Sequence, residues 1–342
     1  MFYLGVDYHK AYSHGAAIDD DGKERLSCRV ANTHDAFKEL LKQLNGPCKA
    51  VVECGRTWGV IYDLLENLGV EVKLANPLKL RAIAEARIKT DSIDAKTLAE
   101  LLRVNLIPEV HIPSREVRKL KNIIRHRMWL VKLRTMTKNR IHQVVDRNHI
   151  ENPGYSDIFG KNGRKFLDSL ELENPDKELL DKHLGTLDFF NSDIKDTEQW
   201  IEKTLKDNPA VHILKSIPGF GKTLSAMVAL EVDDINRFST SKRFCGYCGL
   251  VPSTRSSGGF TYHGNLIKTC NHWLRYAFVE AAWKSMLGSP YCRCYFHRIK
   301  ERKGNNTAVV ALARRLAEIV YSCLKGARPY EERPYSYCFQ HN

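Results

Sequence analysis

Residues 2–30 read FYLGVDYHKAYSHGAAIDDDGKERLSCRV, and the pattern of this segment predicts the fold class. The β-rich runs Phe2–Asp7, His14–Ile18 and Leu26–Val30 predict three short strands. Asp20-Asp21-Gly22 supplies the residues that a hairpin turn requires between the second and third strands. The chain is therefore predicted to open with three consecutive strands that are joined by short connections.

Strands and helices then alternate. Phe37, Leu40, Leu41 and Leu44 have the spacing of one helix face, and Ile61–Leu68 predicts a second helix. Short apolar strands are predicted at Ala50–Glu53 and Val70–Leu74. Three strands followed by helix-alternating strands match the order of ribonuclease H-like folds, so we expect an α/β domain of that kind over residues 1–110.

The basic charge of the chain is concentrated in one segment. Lys and Arg exceed Asp and Glu by 53 to 40 over the 342 residues. Between His111 and Ile150 eleven basic residues face only Glu116 and Asp146, so nine of the thirteen net charges lie in forty residues. The eleven are Arg115, Arg118, Lys119, Lys121, Arg125, Arg127, Lys132, Arg134, Lys138, Arg140 and Arg147. Phosphate neutralisation drives nonspecific nucleic-acid binding, so we expect such a contact here; a solvated basic surface is the alternative.

The rest of the chain is predicted to be mainly helical. Apolar residues at steps of three or four predict a long antiparallel helical pair of the coiled-coil type over residues 111–209, interrupted at Asn152-Pro153-Gly154. A compact helical domain is expected over residues 210–325, followed by a polar tail at 326–342.

Composition excludes several classes of protein. No run of 18 apolar residues indicates a membrane span, and the first ten residues lack the pattern of a secretion signal. The ten cysteines are scattered, unlike those of a small disulfide-rich secreted protein. We therefore expect a cytoplasmic, nucleoid-associated protein with reduced thiols and no membrane partner.

Four carboxylates are candidates for a metal site. Asp7 ends the first predicted strand and Glu53 ends a later one, while Asp91 and Asp94 open a helix at a spacing that shares one face. The four can thus meet at one sheet edge, where oxygen ligands would suit the Mg²⁺ ions of phosphoryl transfer. Each acid taken alone is more often a turn residue or a helix N-cap.

Three motifs contain these acids: Gly5-Val6-Asp7-Tyr8-His9-Lys10, Val52-Glu53-Cys54-Gly55 and Lys89-Thr90-Asp91-Ser92-Ile93-Asp94-Ala95. Together they resemble the DEDD-type transposases of bacterial insertion sequences, the IS-one-ten family of bridge-RNA-guided recombinases. The resemblance implies a RuvC-like domain, similar to the Holliday-junction resolvases. It also implies that the four acids form a catalytic tetrad that binds Mg²⁺ or a similar divalent metal.

A second signature lies near the C-terminal end. Residues 249–259, GLVPSTRSSGG, resemble the serine segment of that family, and Leu274-Arg275 resembles the basic helix start that follows it. The family's nucleophile is the serine before the glycine, which implies Ser257, with Ser256 as the nearest alternative. Residues 260–265, FTYHGN, depart from the more basic stretch of the family. From the residues alone, Ser-Ser-Gly-Gly predicts a flexible loop.

The resemblance implies a transposase that cuts and rejoins double-stranded donor and target DNA through a covalent serine intermediate. It further implies a homo-oligomer, dimer or tetramer, and a guide-type noncoding RNA encoded by the element. One rival is a hydrolytic RuvC-like junction resolvase or nuclease that has no use for Ser257. Another is a nucleic-acid-binding protein with vestigial acids.

Further candidates for nucleic-acid contact lie in the C-terminal half. Ile217–Thr223 lacks the first glycine of a Walker loop but resembles a helix-hairpin-helix turn, which makes Gly219, Gly221 and Lys222 candidate phosphate contacts. Arg275, Arg298 and Lys300 are further basic candidates. Cys245 and Cys248 have zinc-ligand spacing, but burial as small apolar side chains of a helix is the favoured interpretation.

Overall fold

The computed structural model of the chain describes residues 1–84 and 90–332. Lys89 of the third motif and residues 333–342 of the predicted tail lie outside this range. The chain forms two compact units, one from Met1 to Pro113 and one from Ser114 onwards. Within the described ranges, each helix is too short or too polar to serve as a membrane span.

The first unit is built on a five-stranded sheet with helices. Its strands are β1 (Phe2–Tyr8), β2 (Ser13–Ile18), β3 (Glu24–Val30), β4 (Cys48–Glu53) and β5 (Glu71–Ala75); its helices are α1 (His34–Leu44), α2 (Trp58–Asn67), α3 (Pro77–Ile83) and α4 (Asp91–Arg103). The strand order is β3-β2-β1-β4-β5. The first three strands pair antiparallel, whereas β1, β4 and β5 pair parallel. This mixed α/β sheet confirms the predicted class and is consistent with a ribonuclease H-like domain.

The two faces of the sheet bury different helices. Leu4, Val6 and Val52 pack with Phe37 of α1 and Ile61 of α2 in one apolar cluster. On the opposite face, Val51 and Ala75 pack with Leu98, Leu101 and Leu102 of α4. Because side chains alternate along a strand, residues two positions from Val51 or Gly5 face α4.

The second unit is mainly helical. Its helices are α5 (Arg115–Arg147), α6 (Lys161–Asp168), α7 (Asp176–Thr204), α8 (Pro209–Lys215), α9 (Lys222–Val232), α10 (Ser241–Tyr247), α11 (His272–Gly288), α12 (Pro290–Lys303) and α13 (Asn305–Lys325), with a short 3₁₀ turn at Ile235–Arg237. It also contains an antiparallel two-stranded ribbon of β6 (Pro252–Ser257) and β7 (Phe260–Leu266). The sequence did not predict this ribbon. A separate domain boundary near residue 209 stays a prediction.

The two longest helices, α5 and α7, pack along each other in opposite chain directions. Arg127 pairs with Glu198, whereas Arg147, near the other end of α5, pairs with Asp176 at the start of α7. The distal half of α5 buries apolar residues against α6 and α7, and Ile124 and Met128 of its first half join the core of α8 to α13. Nine cysteines of the described chain are free thiols.

Candidate active site

The position of Asp7 follows from a close contact between β1 and α4. A Cβ on Gly5 would lie 1.9 Å from the carbonyl oxygen of Ala95, so only glycine lets the helix approach the strand this closely. Asp7 lies two residues beyond Gly5 on the same strand and therefore on the same face. Its side chain is directed toward the side of the sheet that α4 covers.

Glu53 occupies the equivalent position on the next strand. Val6 of β1 is opposite Val52 of β4 in a parallel pair. Asp7 and Glu53 therefore lie side by side at the carboxyl ends of these two strands. Glu53 is half-buried and lies two residues beyond Val51, which packs on α4. The sheet therefore directs both acids to one face.

Asp91 and Asp94 lie in the first turn of α4. The Thr90 side chain caps this helix by accepting a hydrogen bond from the backbone N–H of Ile93 at 3.2 Å. The Tyr12 hydroxyl donates to Asp91 Oδ2 at 2.8 Å, and this bond lowers the pKa of Asp91. The helix start is thus tied to the loop that joins β1 to β2.

His9 lies between two of the acids. Its Nε2 is 3.1 Å from Asp7 Oδ2 and 3.3 Å from Asp91 Oδ1. In the part of the chain that the structure describes, these three residues form the one group of potential metal ligands whose atoms all lie within 4.8 Å of one another. Sequence reasoning missed His9, although it follows Asp7 by two residues in the GVDYHK motif.

The electrostatics of the site favour a cation. Burial raises the pKa of Asp7 above its usual value, and the negative charges of Asp91 and Asp94 raise it further, while His9 opposes both. Asp94 is therefore close enough to repel Asp7, although it is outside the three-residue group. Carboxylate oxygens suit Mg²⁺ or Mn²⁺, and an imidazole nitrogen also suits Mn²⁺ or Zn²⁺, so this donor set fits a divalent metal.

Ser256 and Ser257 lie at the end of β6, where the sequence alone predicted a loop. Ser257 pairs with Phe260, so the connection to β7 is the two residues Gly258 and Gly259. Their φ angles of 55° and 84° are both positive, as a type I′ hairpin turn requires. The loop prediction was wrong because the two glycines close a tight hairpin.

The two candidate serines face opposite sides of this ribbon. Ser256 Oγ lies 3.0 Å from Oγ1 of Thr261, the residue opposite it on β7. Ser257 is directly opposite Phe260 on the other face, where the described residues provide no hydrogen-bond partner for its hydroxyl. Both serines are exposed.

Arg275 fixes the base of the ribbon. The residue is half-buried at the start of α11, and its guanidinium donates to the carbonyl oxygen of Ile267 just beyond β7. It also packs over Gly249, where a Cβ would lie 2.3 Å from Arg275 Nη2. Arg275 thus holds both ends of the ribbon, which gives it a structural role in addition to the nucleic-acid contact predicted for it.

Besides Arg147, which pairs with Asp176, three more basic residues of α5 contact carboxylates in the described part of the chain. Arg125 donates twice to Glu231 Oε1, at 2.7 and 3.0 Å, and Lys121 Nζ lies 3.9 Å from Glu231 Oε2. Arg127 pairs with Glu198. Lys121 is buried and Glu231 is only 2% exposed, so the loss of these cationic partners would leave a buried carboxylate unpaired and destabilise the fold. Lys121 is therefore directed to Glu231 and not to a phosphate backbone.

The other predicted basic contacts differ in exposure. Lys119, Lys132, Arg140 and Lys300 are exposed, whereas Arg118, Arg134, Lys138 and Arg298 are half-buried. Among the half-buried residues, Lys138 Nζ lies 4.5 Å from the centre of the Phe159 ring, and Arg298 lies 5.4 Å from that of Tyr295. Exposed cations are the ones that a phosphate backbone reaches without repacking.

The predicted helix-hairpin-helix turn joins α8 to α9. Gly219 has a φ of 88°, and a Cβ there would lie 2.1 Å from the carbonyl of Ala281 on α11. Gly221 is the N-cap of α9, and no side chain caps its N–H groups. Lys222 is exposed and pairs with Glu202 at 2.7 Å. The exposed helix start is suited to an anion.

Cys245 and Cys248 are fully buried at the end of α10. Burial raises the pKa of Cys245 to about 11 and that of Cys248 well above 9, which opposes the thiolate form that zinc needs. Across residues 1–84 and 90–332, no group of cysteines and histidines has metal-site spacing. The two thiols are small buried side chains.

Two models of known protein families match this chain, one in its N-terminal part and one in its C-terminal part. A family model of the DEDD IS110 type, described as a transposase, matches residues 4–150 and includes the four acids. A model described as "Transposase IS116/IS110/IS902 family" matches residues 211–297 and includes the serine ribbon. The chain belongs to the IS110/IS116/IS902 transposase family. It is an insertion-sequence transposase, and membership implies a DNA substrate.

Relatives of this IS110-family chain match along nearly its whole length. The insertion element IS110 uncharacterized 43.6 kDa protein of Streptomyces coelicolor is 23% identical, over 97% of this chain and 96% of the relative. The transposase for insertion sequence element IS1111A of Coxiella burnetii is 25% identical, over 96% and 90%. The pilin gene-inverting protein of Moraxella bovis is 24% identical, over 97% and 98%.

Proposed function

We propose that this transposase cuts and rejoins DNA strands by transesterification, with Ser257 as the nucleophile and a divalent metal at Asp7, Glu53, Asp91 and Asp94. The observation that carries the proposal is the meeting of Asp7 and Asp91 around His9, within 4.8 Å, at the carboxyl edge of the sheet. Acids separated by more than eighty residues are brought together there at a cost in repulsion that a bound cation would remove.

The metal site would use oxygen donors from a strand end, an adjacent strand end and a helix start. Mg²⁺ is the expected ion because it prefers carboxylate oxygens. When bound, such an ion polarises a phosphodiester and stabilises the charge that develops during its cleavage. His9 Nε2 lies within 3.3 Å of a carboxylate oxygen of both Asp7 and Asp91, so its ring joins the two acids through one shared nitrogen.

Ser257 would supply the covalent step. Its Oγ forms a bond to phosphorus and loses its proton to solvent, while the bond from phosphorus to one deoxyribose oxygen breaks and that oxygen gains a proton. The phosphoserine ester conserves the bond energy. A hydroxyl from another strand then attacks the same phosphorus, which releases Ser257 and rejoins the DNA.

The basic surface of the second unit would bind the DNA backbone and a guide RNA. The exposed cations Lys119, Lys132 and Arg140 on α5, with Lys300 on α12, are the strongest candidates. Arg118, Arg134, Lys138, Arg298 and the turn with Gly219, Gly221 and Lys222 extend the set. The guide RNA and the homo-oligomer are proposed from the family resemblance alone.

Detection of the covalent intermediate tests the nucleophile. The protein, with its copurified RNA, is incubated with Mg²⁺ and supercoiled DNA that carries an end of its element, and protein-linked DNA is resolved on a denaturing gel. Ser257→Ala should abolish the adduct, whereas Ser256→Ala should retain it. An adduct that survives Ser257→Ala would exclude this serine.

Two further outcomes separate the rival functions. Cleavage by the Ser257→Ala protein, without an adduct, would show a hydrolytic junction resolvase or nuclease. DNA binding without cleavage under any metal condition would show a protein whose acids are vestigial. Sequencing of RNA that copurifies with the protein tests guidance, because random cellular RNA alone would contradict a dedicated guide.

A further inference from the structure

The β6–β7 ribbon presents aromatic side chains to solvent. Phe260 is 84% exposed and Tyr262 is 71% exposed, and every residue from Ser253 to His263 is exposed. Two aromatic rings side by side on an isolated ribbon gain nothing from the core of the protein. Large exposed apolar groups on a rigid element commonly mark a binding surface.

The register of the ribbon divides its side chains into two faces. On one face, Thr254 contacts His263 and Ser256 contacts Thr261, both at 3.0 Å. The two members of each pair therefore hydrogen-bond to each other. The opposite face consists of the cross-strand pairs Arg255–Tyr262 and Ser257–Phe260. We call this set of four the aromatic face.

The aromatic face lies in a region without acidic residues. No Asp or Glu occurs between Asp234 and Glu280, whereas six Lys or Arg do. Arg255 is exposed, and among the described residues it forms no ion pair with a carboxylate. Positive charge beside exposed aromatic rings complements a nucleic-acid strand, since phosphates meet the cation and bases meet the rings.

We infer that Phe260 and Tyr262 stack on unpaired bases of the DNA strand whose phosphate Ser257 attacks. This inference rests on the proposed role of Ser257 and adds a base-holding surface to it. Successive bases on aromatic rings, with Arg255 on the intervening phosphate, would hold the strand extended next to the Ser257 hydroxyl. Paired bases are stacked on each other and offer no such faces, so the surface selects unpaired strands.

The geometry favours DNA over a protein partner for this face. A second copy of the ribbon would place Arg255 near the same positive charge, which opposes self-association. The serine that shares the face acts on DNA in the proposed reaction, which favours a DNA strand over RNA. Polar Ser257 and charged Arg255 alternate with the rings, as in surfaces that track a single strand.

Fluorescence anisotropy with a short labelled single-stranded DNA of mixed sequence tests the inference on the full chain. Phe260→Ala and Tyr262→Ala should each weaken binding roughly 5- to 100-fold, the usual effect of losing one stacked base. Phe260→Tyr and Tyr262→Phe should bind as the unaltered protein does. Equal affinity of all four variants would overturn the inference.

Two controls separate this surface from general effects. Phe189→Ala removes a ring that is 64% exposed on α7 and should leave the affinity unchanged. Duplex DNA of the same sequence should bind equally well to the aromatic-face variants and to the unaltered protein. Weakened binding of single-stranded RNA but not of DNA, or a changed oligomeric mass, would instead contradict a DNA-binding role.

The unaltered protein provides a measurement that does not depend on the folding of any variant. Irradiation with DNA that contains 5-bromodeoxyuridine should crosslink to the peptide with Phe260 and Tyr262, and crosslinks elsewhere only would contradict stacking. Ser257→Ala should retain binding and the crosslink. The crosslink is therefore expected even if Ser257 is not the nucleophile. A covalent adduct on Ser257 without a crosslink to Phe260 or Tyr262 would disprove base stacking and leave the role of Ser257 unaffected.

Discussion

The backbone of Gly5 lies so close to the carbonyl of Ala95 that any side chain at Gly5 would collide with α4. Asp7 follows Gly5 by two residues on the same strand face, and Asp91 precedes Ala95 by four residues on the same helix face. A single strand–helix contact thus sets the distance between the two acids. His9 then lies between them at hydrogen-bond distance from both.

A Gly5→Ala substitution should therefore destabilise the protein. The added Cβ forces β1 and α4 apart and should lower the free energy of unfolding by about 1–3 kcal/mol, as overpacking does. Urea unfolding followed by circular dichroism measures this change. Gly185→Ala, at an exposed position of α7 where nothing lies within 4 Å, should instead raise stability by up to about 1 kcal/mol. Equal effects would contradict the tight contact.

Removal of the Asp7 charge should weaken metal binding and stabilise the metal-free protein. Burial and the neighbouring acids penalise this carboxylate, so Asp7→Asn should stabilise the metal-free protein by about 0.5–2 kcal/mol. Metal at a hundred times its Kd should stabilise the unaltered protein by about 2.7 kcal/mol and the variant far less. Thermal unfolding with and without Mn²⁺ or Mg²⁺ measures both. Asp35→Asn, at an exposed residue of α1, serves as the control. Equal responses of the Asp7→Asn variant and the unaltered protein to metal would contradict the site.

The sequence predicted the five strands of the first sheet better than the loops that join them. Strand alternation and the helix start at Asp91 are local patterns, so the sheet edge could be anticipated from residues 1–105. The position of His9 depends on the loop between β1 and β2, which Tyr12 and Asn32 hold in place: Asn32 Nδ2 donates to the His9 carbonyl at 2.7 Å. Such contacts between distant residues have no periodic signal.

The basic segment shows a different limit of sequence reasoning. A count of charges could not separate Lys119, which is exposed, from Lys121, which is buried two residues later. Glu231 explains the difference, yet it lies more than a hundred residues away. Likewise, Ser256 and Ser257 are equivalent in a loop but not in a hairpin, because strand alternation directs them to opposite faces.

Glu231→Ala should be among the most destabilising changes in the second unit. The carboxylate is 2% exposed and accepts hydrogen bonds from Arg125 and from Asn271 Nδ2, at 2.9 Å for Asn271. Its loss removes the carboxylate that Arg125 and buried Lys121 both contact, and should cost about 3–5 kcal/mol. Glu202→Ala, which breaks the exposed pair with Lys222, should cost less than about 1 kcal/mol. Urea unfolding compares the two, and similar losses would contradict the buried network.

The junction of α5 and α7 should show a pH dependence. Hydrogen bonds from Arg147 and Asn148 lower the pKa of Asp176. A lowered folded-state pKa gives stability that is present above the unfolded value, about 3.9, and lost as the pH falls through the folded value. Asp176→Ala should therefore lower the Tm at pH 7, and the difference should shrink in stronger acid. Glu178→Ala, in an exposed helix pair, should change the Tm little; a pH-independent loss at Asp176 would contradict this account.

The most direct test of the account is the identity of the residue that carries DNA after cleavage. Trypsin cuts after Arg255 and after Lys268, so both serines fall in one peptide of the ribbon. Tandem mass spectrometry of the DNA-linked, nuclease-trimmed peptide from the unaltered protein should place the phosphonucleotide on Ser257, with no modified peptide from Asp7→Asn protein. A nucleotide on Ser256 or on a tyrosine, or metal-dependent cleavage that leaves every peptide unmodified, would contradict it.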